Sequence, residues 1–298
     1  MKDIIIVGGG CAGLTAALYA ARAGKSVLIF EKETIGGQIS SSPLIENYPG
    51  IPQMSGMAFA DNLFSQVTEL GVELEVDEVI KIEPINSHHK VFTADGEYEA
   101  RVVIVATGAK YRPLGLPNEE RLTGHGISYC AICDGAFFKN LPVAIVGGGN
   151  SALTQALYLA NFCKSVTIIH RRDEYRADFN LMERAKSLSN IFWIKDTTVQ
   201  KLVGEKKLSG LELLNIKTQE SSSLAIDGLF VTIGQIPQTE AFKDLIPIDE
   251  KGYFIVDEDC KAEPEGIYVA GDCRKKRMRQ LTTAIADGAN ASLAVFTI

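Results

Sequence analysis

The residues best suited to chemistry are two cysteines three positions apart, Cys130 and Cys133, in the segment CAICDG. Thiols at this spacing can close a small disulfide, particularly at a helix N-terminus, where the helix dipole lowers the pKa of a thiol. A zinc site normally needs four ligands, and the other four cysteines of the chain are isolated singles. The pattern therefore favours a reversible dithiol–disulfide pair over a metal site or two buried structural cysteines.

Asp134 directly follows the second cysteine. Disulfide exchange releases a thiolate that must be protonated, or uses a thiol that must lose its proton. A carboxyl group here is therefore a candidate general acid and base. An acid at this position also suits the first turn of a helix. Both roles stay open at the level of the sequence.

A glycine-rich turn near the start of the chain predicts a dinucleotide site. Gly8, Gly10 and Gly13 precede a helix predicted from about Leu14 to Arg22. Glycine at these places lets the backbone approach a pyrophosphate, whose charge is stabilised by the helix N-terminus. Glu31 ends the following strand, 18 residues after Gly13, and can accept hydrogen bonds from ribose hydroxyls.

The same pattern returns later in the chain as an internal repeat. Residues 143–170 align with residues 4–31 without a gap, and about half of the aligned positions are identical. The second copy has Gly147, Gly149 and Ala152 at the places of the three glycines. Each copy consists of an apolar strand, a turn, a helix and a second strand, which is a βαβ unit. The repeat predicts two dinucleotide-binding domains in one chain.

The second copy differs from the first where the ribose would bind. His170 stands at the place of Glu31, and Arg171, Arg172 and Arg176 follow it. A carboxylate would repel a 2′-phosphate, whereas Arg binds one bidentately. The exchange predicts that the second site prefers NADPH to NADH, with a solvated basic loop as the alternative.

The remaining pattern predicts an α/β protein with two Rossmann-like, three-layer ββα domains, the second inserted in the first. The inserted domain is predicted over 113–240, within a discontinuous domain of 1–112 and 241–298. Strands are predicted over 72–82 and 90–105, with Asp95-Gly96 as a hairpin turn and His88-His89 in a solvated loop. A terminal helix is predicted from Leu281 to Ala294.

Composition narrows the function further. The 298 residues carry 30 basic and 37 acidic side chains, a net charge of −7 and a pI near 5.3, which argues against a nucleic-acid binder. No apolar run approaches the roughly 18–20 residues of a membrane helix. Met1-Lys2-Asp3 leads straight into a strand-like segment without room for a signal peptide, so a cytoplasmic location is expected.

Short motifs distributed along nearly the whole chain together resemble the low-molecular-weight thioredoxin reductases. The motifs are GGGCAG at 8–13, GGQ at 36–38, ENYPG at 46–50, ATG at 106–108, CAICDG at 130–135, GGGNSA at 147–152, HRRDEYRA at 170–177, GQIPQT at 234–239, and GIYVAGD followed by RQLTTA. The resemblance implies FAD in the discontinuous domain, NADPH in the inserted one, a homodimer, and thioredoxin or a similar small dithiol protein as substrate.

The resemblance also implies which residues bind each cofactor. Those expected to contact FAD are Gly8, Gly10, Gly13, Glu31, Gln38, Asn47, Asp272, Arg279, Gln280 and Leu281. Those expected to contact NADPH are Gly147, Gly149, Ala152, Arg171, Arg172 and Arg176. The catalytic residues would be Cys130, Cys133 and Asp134, with Cys133 facing the flavin and no metal involved.

In the implied reaction, electrons pass from NADPH to FAD, then to the Cys130–Cys133 disulfide, then to the substrate disulfide. Since the nicotinamide and the cysteines share one domain and the flavin lies in the other, they must take turns, which predicts a rotation about the two crossings. Alternatives are a reductase fed by ferredoxin or serving another partner, and a redox sensor without turnover. The chain departs from relatives at Asn150, where Asp is usual, and at Thr154 and Gln155, where acids are usual.

Overall fold

The computed structural model describes residues 1–42 and 44–296, which form two compact units. Unit 1 comprises Met1–Lys110 and Ile236–Ile298, and unit 2 comprises Tyr111–Gln235. The chain therefore leaves unit 1 once and returns to it once. The assignment of one cofactor to each unit stays a prediction.

Strands and helices alternate along most of the chain. The first segment of unit 1 contains β1 Lys2–Val7, α1 Cys11–Arg22, β2 Val27–Glu31, α2 Gly56–Thr68, β3 Glu73–Val76, β4 Val79–Ile85, β5 His88–Thr93, β6 Glu97–Val105 and β7 Ala109–Tyr111. Unit 2 continues with α3 Glu119–Leu122, β8 Ile127–Ser128, α4 Ala131–Asp134, β9 Pro142–Val146, α5 Asn150–Leu159, β10 Ser165–Ile169, α6 Phe179–Lys186, β11 Ile191–Ile194, β12 Thr197–Val203, β13 Gly210–Asn215, β14 Ser221–Ala225 and β15 Gly228–Val231. Strand β16, Gln235–Pro237, spans the point where the chain returns to unit 1. The return to unit 1 adds β17 Ile267–Val269 and α7 Leu281–Phe296.

Unit 1 is built on a sheet in which β3, β2, β1, β6 and β17 run parallel, while β5 and β4 extend β6 as an antiparallel meander. Alternate residues of β1 face opposite layers, as the strand period of two requires. Ile4 and Ile6 pack in the core formed with α1, α2 and α7, whereas Ile5 and Val7 pack in the core beneath the meander. This arrangement is the predicted three-layer ββα architecture.

Unit 2 repeats the plan with a parallel sheet ordered β11-β10-β9-β15-β8 and a separate antiparallel sheet, β12-β13-β14. Val143 and Ile145 of β9 pack against α5 and α6, and Ala144 packs in the core shared with the second sheet. In both units the first two strands of the internal repeat pair in parallel, so the prediction of two βαβ units is confirmed.

The structure corrects three details of the prediction. Helix α1 begins at Cys11, not at about Leu14, so the helix starts directly after the glycine-rich turn. The terminal helix reaches Phe296. The prediction of a solvated loop at His88-His89 was wrong, because both residues lie in β5 and His89 is only 4% exposed. Asp95-Gly96 does connect the antiparallel strands β5 and β6 as predicted.

Among the residues that the structure describes, no helix has the length and apolar character that crossing a bilayer would require. Within the same residues, no cluster of three or more His, Cys, Asp or Glu side chains is arranged to hold a metal ion.

Candidate active site

The two cysteines of the CAICDG segment form a disulfide whose Cα atoms lie 5.3 Å apart. The segment runs from the end of β8 into α4, and both cysteines are partly buried. Cys130 precedes the first residue of α4, and its sulfur accepts a hydrogen bond from the backbone N–H of Cys133 at 3.2 Å. Hydrogen bonding to a charged form favours it, so this N–H will stabilise a Cys130 thiolate once the disulfide is reduced.

A buried serine links the cysteine segment to Asp134. The Ser128 hydroxyl accepts from the Cys130 backbone N–H at 3.0 Å and donates to the Asp134 carboxylate at 2.6 Å. Burial raises the pKa of Asp134 above its ordinary value, although the Ser128 hydrogen bond acts in the opposite direction. A carboxyl group that holds its proton to higher pH is better able to donate it near neutral pH. Ser128 was missed by the sequence analysis, and only its place two residues before Cys130 could have marked it.

Gln155 of α5 forms a hydrogen bond with the first residue of α4. Its side-chain oxygen accepts from the backbone N–H of Ala131, a fully buried residue, at 2.9 Å. Thr154 is exposed, so the two departures from the family pattern lie in different surroundings. The hydrogen bond means that a neutral amide, not a carboxylate, stands beside the residue that follows Cys130.

Replacing Gln155 with Glu should make the cysteine pair harder to reduce. A carboxylate still accepts from Ala131 but adds a negative charge that disfavours a nearby thiolate. We expect the disulfide potential to fall by about 30 mV, equivalent to about 1.4 kcal/mol for a two-electron couple. Equilibration with dithiol redox buffers and alkylation of the free thiols measures the shift.

Gln200→Glu is the matched control, because Gln200 is an exposed residue of β12 in the same unit. It adds the same charge and should leave the potential unchanged. Equal potentials for Gln155→Glu and the wild type would show that a negative charge at this position has no influence on the redox pair.

In the first glycine-rich turn, two glycines are required by the packing of the chain itself, and the third is explained by the approach of a ligand. A Cβ at Gly8 would lie 2.4 Å from the Ala106 carbonyl oxygen, and one at Gly13 would lie 1.9 Å from the Gly8 carbonyl oxygen. At Gly10 the nearest described atom beyond its chain neighbours is the Gly36 carbonyl oxygen, at 4.0 Å. Chain packing therefore excludes a side chain at Gly8 and Gly13 but not at Gly10. Close approach of a phosphate to the N-terminus of α1 explains glycine there.

Glu31 stands at the edge of this turn. One carboxylate oxygen accepts from the Gly9 backbone N–H at 2.7 Å and the other from the Glu33 backbone N–H at 2.8 Å. Each carboxylate oxygen has more than one acceptor site, so ribose hydroxyls can still donate to the group. Glu31 is thus fixed in orientation beside the turn.

The other residues expected to bind FAD belong to unit 1, and contacts join several of them. The Asn47 amide donates to the Gln280 side chain at 3.4 Å, although 233 residues separate the two. Gln38 lies in a short 3₁₀ turn after Gly36, whose backbone N–H donates to Gly9 of the glycine-rich turn at 2.8 Å. Leu281 begins α7, so its backbone N–H belongs to a helix N-terminus.

Asp272 follows β17 and belongs to a network with four other charged residues. Lys276 lies 3.0 Å from one Asp272 carboxylate oxygen and 2.9 Å from Asp287, and Arg274 lies 3.0 Å from the same Asp287. The Arg279 guanidinium donates to the Asp272 backbone carbonyl at 3.2 Å and stacks over a tyrosine ring. This network holds Asp272 in position.

The Lys276 side chain is only 11% exposed, because it lies between the two carboxylates with which it pairs. Cys273 is fully buried and packs in the core of unit 1.

The second glycine-rich turn repeats the steric pattern of the first. A Cβ at Gly147 would lie 2.7 Å from the Thr232 carbonyl oxygen, whereas one at Gly149 would meet no atom within 4 Å in the part of the chain described. Ala152 is fully buried in α5 at the place of Gly13. Gly149 therefore matches Gly10 of the first turn. At both positions the packing of the chain leaves room for a side chain, and the close approach of a ligand explains the glycine.

The three arginines expected at the 2′-phosphate lie in the loop between β10 and α6, and all are exposed. The loop closes onto the glycine-rich turn, because the Arg176 backbone N–H donates to the Gly148 carbonyl at 2.7 Å. The His170 ring lies directly over Gly148, where a Cβ would come within 2.4 Å of it. Burial lowers the pKa of His170, which keeps the imidazole neutral.

Comparison with known proteins supports the same interpretation. Residues 2–288 match the family described as pyridine nucleotide-disulphide oxidoreductase. A thioredoxin reductase of Listeria monocytogenes is 40% identical, covering 96% of this chain and 90% of its own. One from Streptomyces coelicolor is 41% identical, covering 98% and 92%. The crystal structure of thioredoxin reductase from Streptococcus pyogenes is 43% identical, with a TM-score of 0.95 over 100% of this chain and 97% of that one.

The match to the family spans nearly the whole chain, and the relatives are similar over nearly their full length. The chain therefore belongs to the pyridine nucleotide-disulphide oxidoreductase family, in its thioredoxin reductase branch, and uses a flavin and a pyridine nucleotide.

Proposed function

We propose that the protein transfers electrons from NADPH to the disulfide of thioredoxin or a similar small dithiol protein, with FAD bound in unit 1. The observation that carries the proposal is the Cys130–Cys133 disulfide, which lies in a dinucleotide-binding unit distinct from the first. A protein that only bound dinucleotides would have no need of such a pair. The relatives named thioredoxin reductase support the choice of substrate.

Unit 1 offers the residues that FAD requires. Gly10 leaves the N-terminus of α1 open for the pyrophosphate, and Glu31 faces the ribose position. The start of α7, with Gln280 and Leu281, would stabilise negative charge at the pyrimidine end of the ring system. Bound flavin supplies two-electron chemistry that connects a nicotinamide donor to a disulfide.

Unit 2 offers the residues that NADPH requires. Gly149 leaves the N-terminus of α5 open for a pyrophosphate, and the exposed guanidinium groups of Arg171, Arg172 and Arg176 can pair with a 2′-phosphate. His170 occupies the place that Glu31 has in the first copy of the repeat. The second site therefore has no carboxylate at this position to repel a 2′-phosphate. These features support NADPH over NADH as the donor.

The disulfide step follows thiol–disulfide exchange. Reduction by two electrons cleaves the Cys130–Cys133 bond and leaves a dithiol. The Cys130 thiolate, stabilised by the Cys133 N–H, attacks one sulfur of the substrate disulfide and forms a mixed disulfide. Cys133 then attacks the Cys130 sulfur, which restores the internal disulfide and releases the substrate as a dithiol. Asp134 exchanges protons with the sulfur atoms, and Ser128 holds its carboxyl group in place.

The surface beside the cysteines suits a protein substrate. The Phe137 ring is 43% exposed, three residues after Asp134, whereas Phe138 is 7% exposed and packs against Phe230. We assign docking to Phe137 and a core role to Phe138. A homodimer and a cytoplasmic location, both expected from the sequence, complete the proposal.

Anaerobic titration of the purified flavoprotein tests the donor and the acceptor in turn. Stoichiometric NADPH should bleach the flavin absorbance, whereas NADH should be about a hundredfold less effective, because it lacks charged hydrogen bonds worth about 3 kcal/mol. Oxidised thioredoxin added afterwards should restore the absorbance. If the flavin stays oxidised under NADPH but is bleached by reduced ferredoxin, the electron donor is ferredoxin and not NADPH. If NADPH reduces the flavin but oxidised thioredoxin does not reoxidise it, the substrate is a protein other than thioredoxin.

A further inference from the structure

The loop of residues 171–178, which carries the three arginines, is tied to the start of α5 by one reciprocal pair of side-chain contacts. The Asn150 amide nitrogen donates to the Asp178 carboxylate at 2.8 Å, and the Asn150 amide oxygen accepts from the Asp178 backbone N–H at 2.8 Å. Asn150 is the first residue of α5, next to Gly149, and Asp178 precedes α6. The pair thus joins the glycine-rich turn to the far end of the arginine loop.

The same loop has three further attachments. Near its middle, the Arg176 backbone N–H donates to Gly148 at 2.7 Å. On its other side, the Asp173 carboxylate accepts from Lys217 at 2.8 Å, and the Arg172 carbonyl accepts from the Asp196 backbone N–H. The Asn150–Asp178 pair holds the end of the loop nearest α6, so together with the Arg176–Gly148 hydrogen bond it fixes the segment that carries Arg176.

One residue of the Asn150–Asp178 pair must be an amide, because the pair needs a side chain that donates a hydrogen bond to the other residue's carboxylate. An Asp in place of Asn150 could still accept from the Asp178 backbone N–H but could not donate to its carboxylate. Two carboxylates would instead face one another at hydrogen-bonding distance, which is repulsive. In this chain Asn150 is therefore matched to Asp178.

We propose that Asn150 and Asp178 are positioning residues that hold the arginine loop for the 2′-phosphate of the nucleotide and thereby set its preference for NADPH. The inference rests on the proposed use of NADPH. Neither residue need touch the phosphate. The amide of Asn150 fixes the loop. By donating a hydrogen bond to the Asp178 carboxylate, it also reduces the repulsion between that negative charge and a 2′-phosphate bound at the arginines.

The test uses the holoenzyme and adenosine 2′,5′-bisphosphate as a binding probe, measured by titration calorimetry. Asn150→Asp should weaken binding by about tenfold, since it loses a hydrogen bond to a charged group and gains repulsion worth together about 1.4 kcal/mol at an exposed site. The ratio of kcat/KM for NADPH to that for NADH should fall by a similar factor, with little change in kcat.

The double variant Asn150→Asp with Asp178→Asn provides the control. It has the same net charge as the wild type. The amide introduced by Asp178→Asn can donate to the carboxylate introduced by Asn150→Asp, and that carboxylate still accepts from the backbone N–H of the other residue. The pair is then restored with its partners exchanged, and we expect binding of the probe to return to within about twofold of the wild type. A merely destabilising substitution of Asn150 would not be rescued in this way.

Each outcome decides a separate point. If the wild type binds the probe and Asn150→Asp binds it equally well, the positioning role is wrong while the NADPH assignment stands. If Asn150→Asp binds weakly and the double variant is not rescued, the pairing is wrong. If the wild type itself does not bind the probe, the use of NADPH and the inference that rests on it are both overturned.

Discussion

Replacing Cys133 with Ser should abolish the reduction of thioredoxin by NADPH while NADPH still bleaches the flavin. The variant cannot form the Cys130–Cys133 disulfide, so it has no acceptor for electrons from the flavin and no resolving thiol for a mixed disulfide. Loss of an essential nucleophile costs about 10³-fold or more in turnover. Steady-state reduction of thioredoxin and anaerobic bleaching of the flavin, measured on the same preparation, check the two halves of the expectation.

Two comparisons make this result specific. Cys130→Ser should lose turnover to the same extent, since both sulfurs are needed. Cys163→Ala should keep it, because Cys163 is a free buried thiol in the core of the same unit. If Cys133→Ser reduced thioredoxin at a rate comparable to the wild type, electrons would leave by another route and the proposed function would fail.

Replacing Gly10 with Ala should weaken FAD binding by about a hundredfold or more without unfolding the chain. Among the residues that the structure describes, and apart from its chain neighbours, the added methyl group meets no atom closer than the Gly36 carbonyl oxygen at 4.0 Å. It nevertheless occupies the space that a pyrophosphate needs at the N-terminus of α1. Two lost hydrogen bonds to a charged phosphate correspond to about 3 kcal/mol. Flavin retained after gel filtration and the Kd from reconstitution with FAD measure the effect.

The internal repeat supplies matched controls. Gly149→Ala makes the same change at the equivalent place in unit 2, where the methyl group again has room, and should keep FAD while weakening the binding of NADPH. Gly13→Ala should instead fail to fold, because its methyl group would lie 1.9 Å from the Gly8 carbonyl oxygen. Full retention of FAD by Gly10→Ala would show that the pyrophosphate does not bind at this turn.

Much of the fold could be read from local patterns. The repeat between residues 4–31 and 143–170 predicted two βαβ units, because an apolar strand, a glycine-rich turn and a helix leave periodic signals within about 30 residues. The prediction failed where the signal was ambiguous. His88-His89 looks polar, yet antiparallel pairing within the meander buries His89, and a single histidine does not reveal that partner.

The candidate site was predicted less completely than the fold. Cys130, Cys133 and Asp134 were found because they are adjacent in sequence. Ser128 and Gln155 were not, because a Ser or a Gln carries no motif and acquires its role only through the group it contacts.

The sequence by itself determined the chemistry available to this protein: a reversible pair of thiols, two sites for dinucleotides, and a group of arginines in place of an acid at the second. These properties depend on residue types at short spacings, which local backbone geometry turns into function. The tertiary structure alone decided which side chains meet. Asn47 and Gln280, or Arg274 and Asp287, or Asn150 and Asp178 pair across elements brought together by burial of the strands and helices that carry them. Burial depends on the whole core, so no local pattern could have identified these partners.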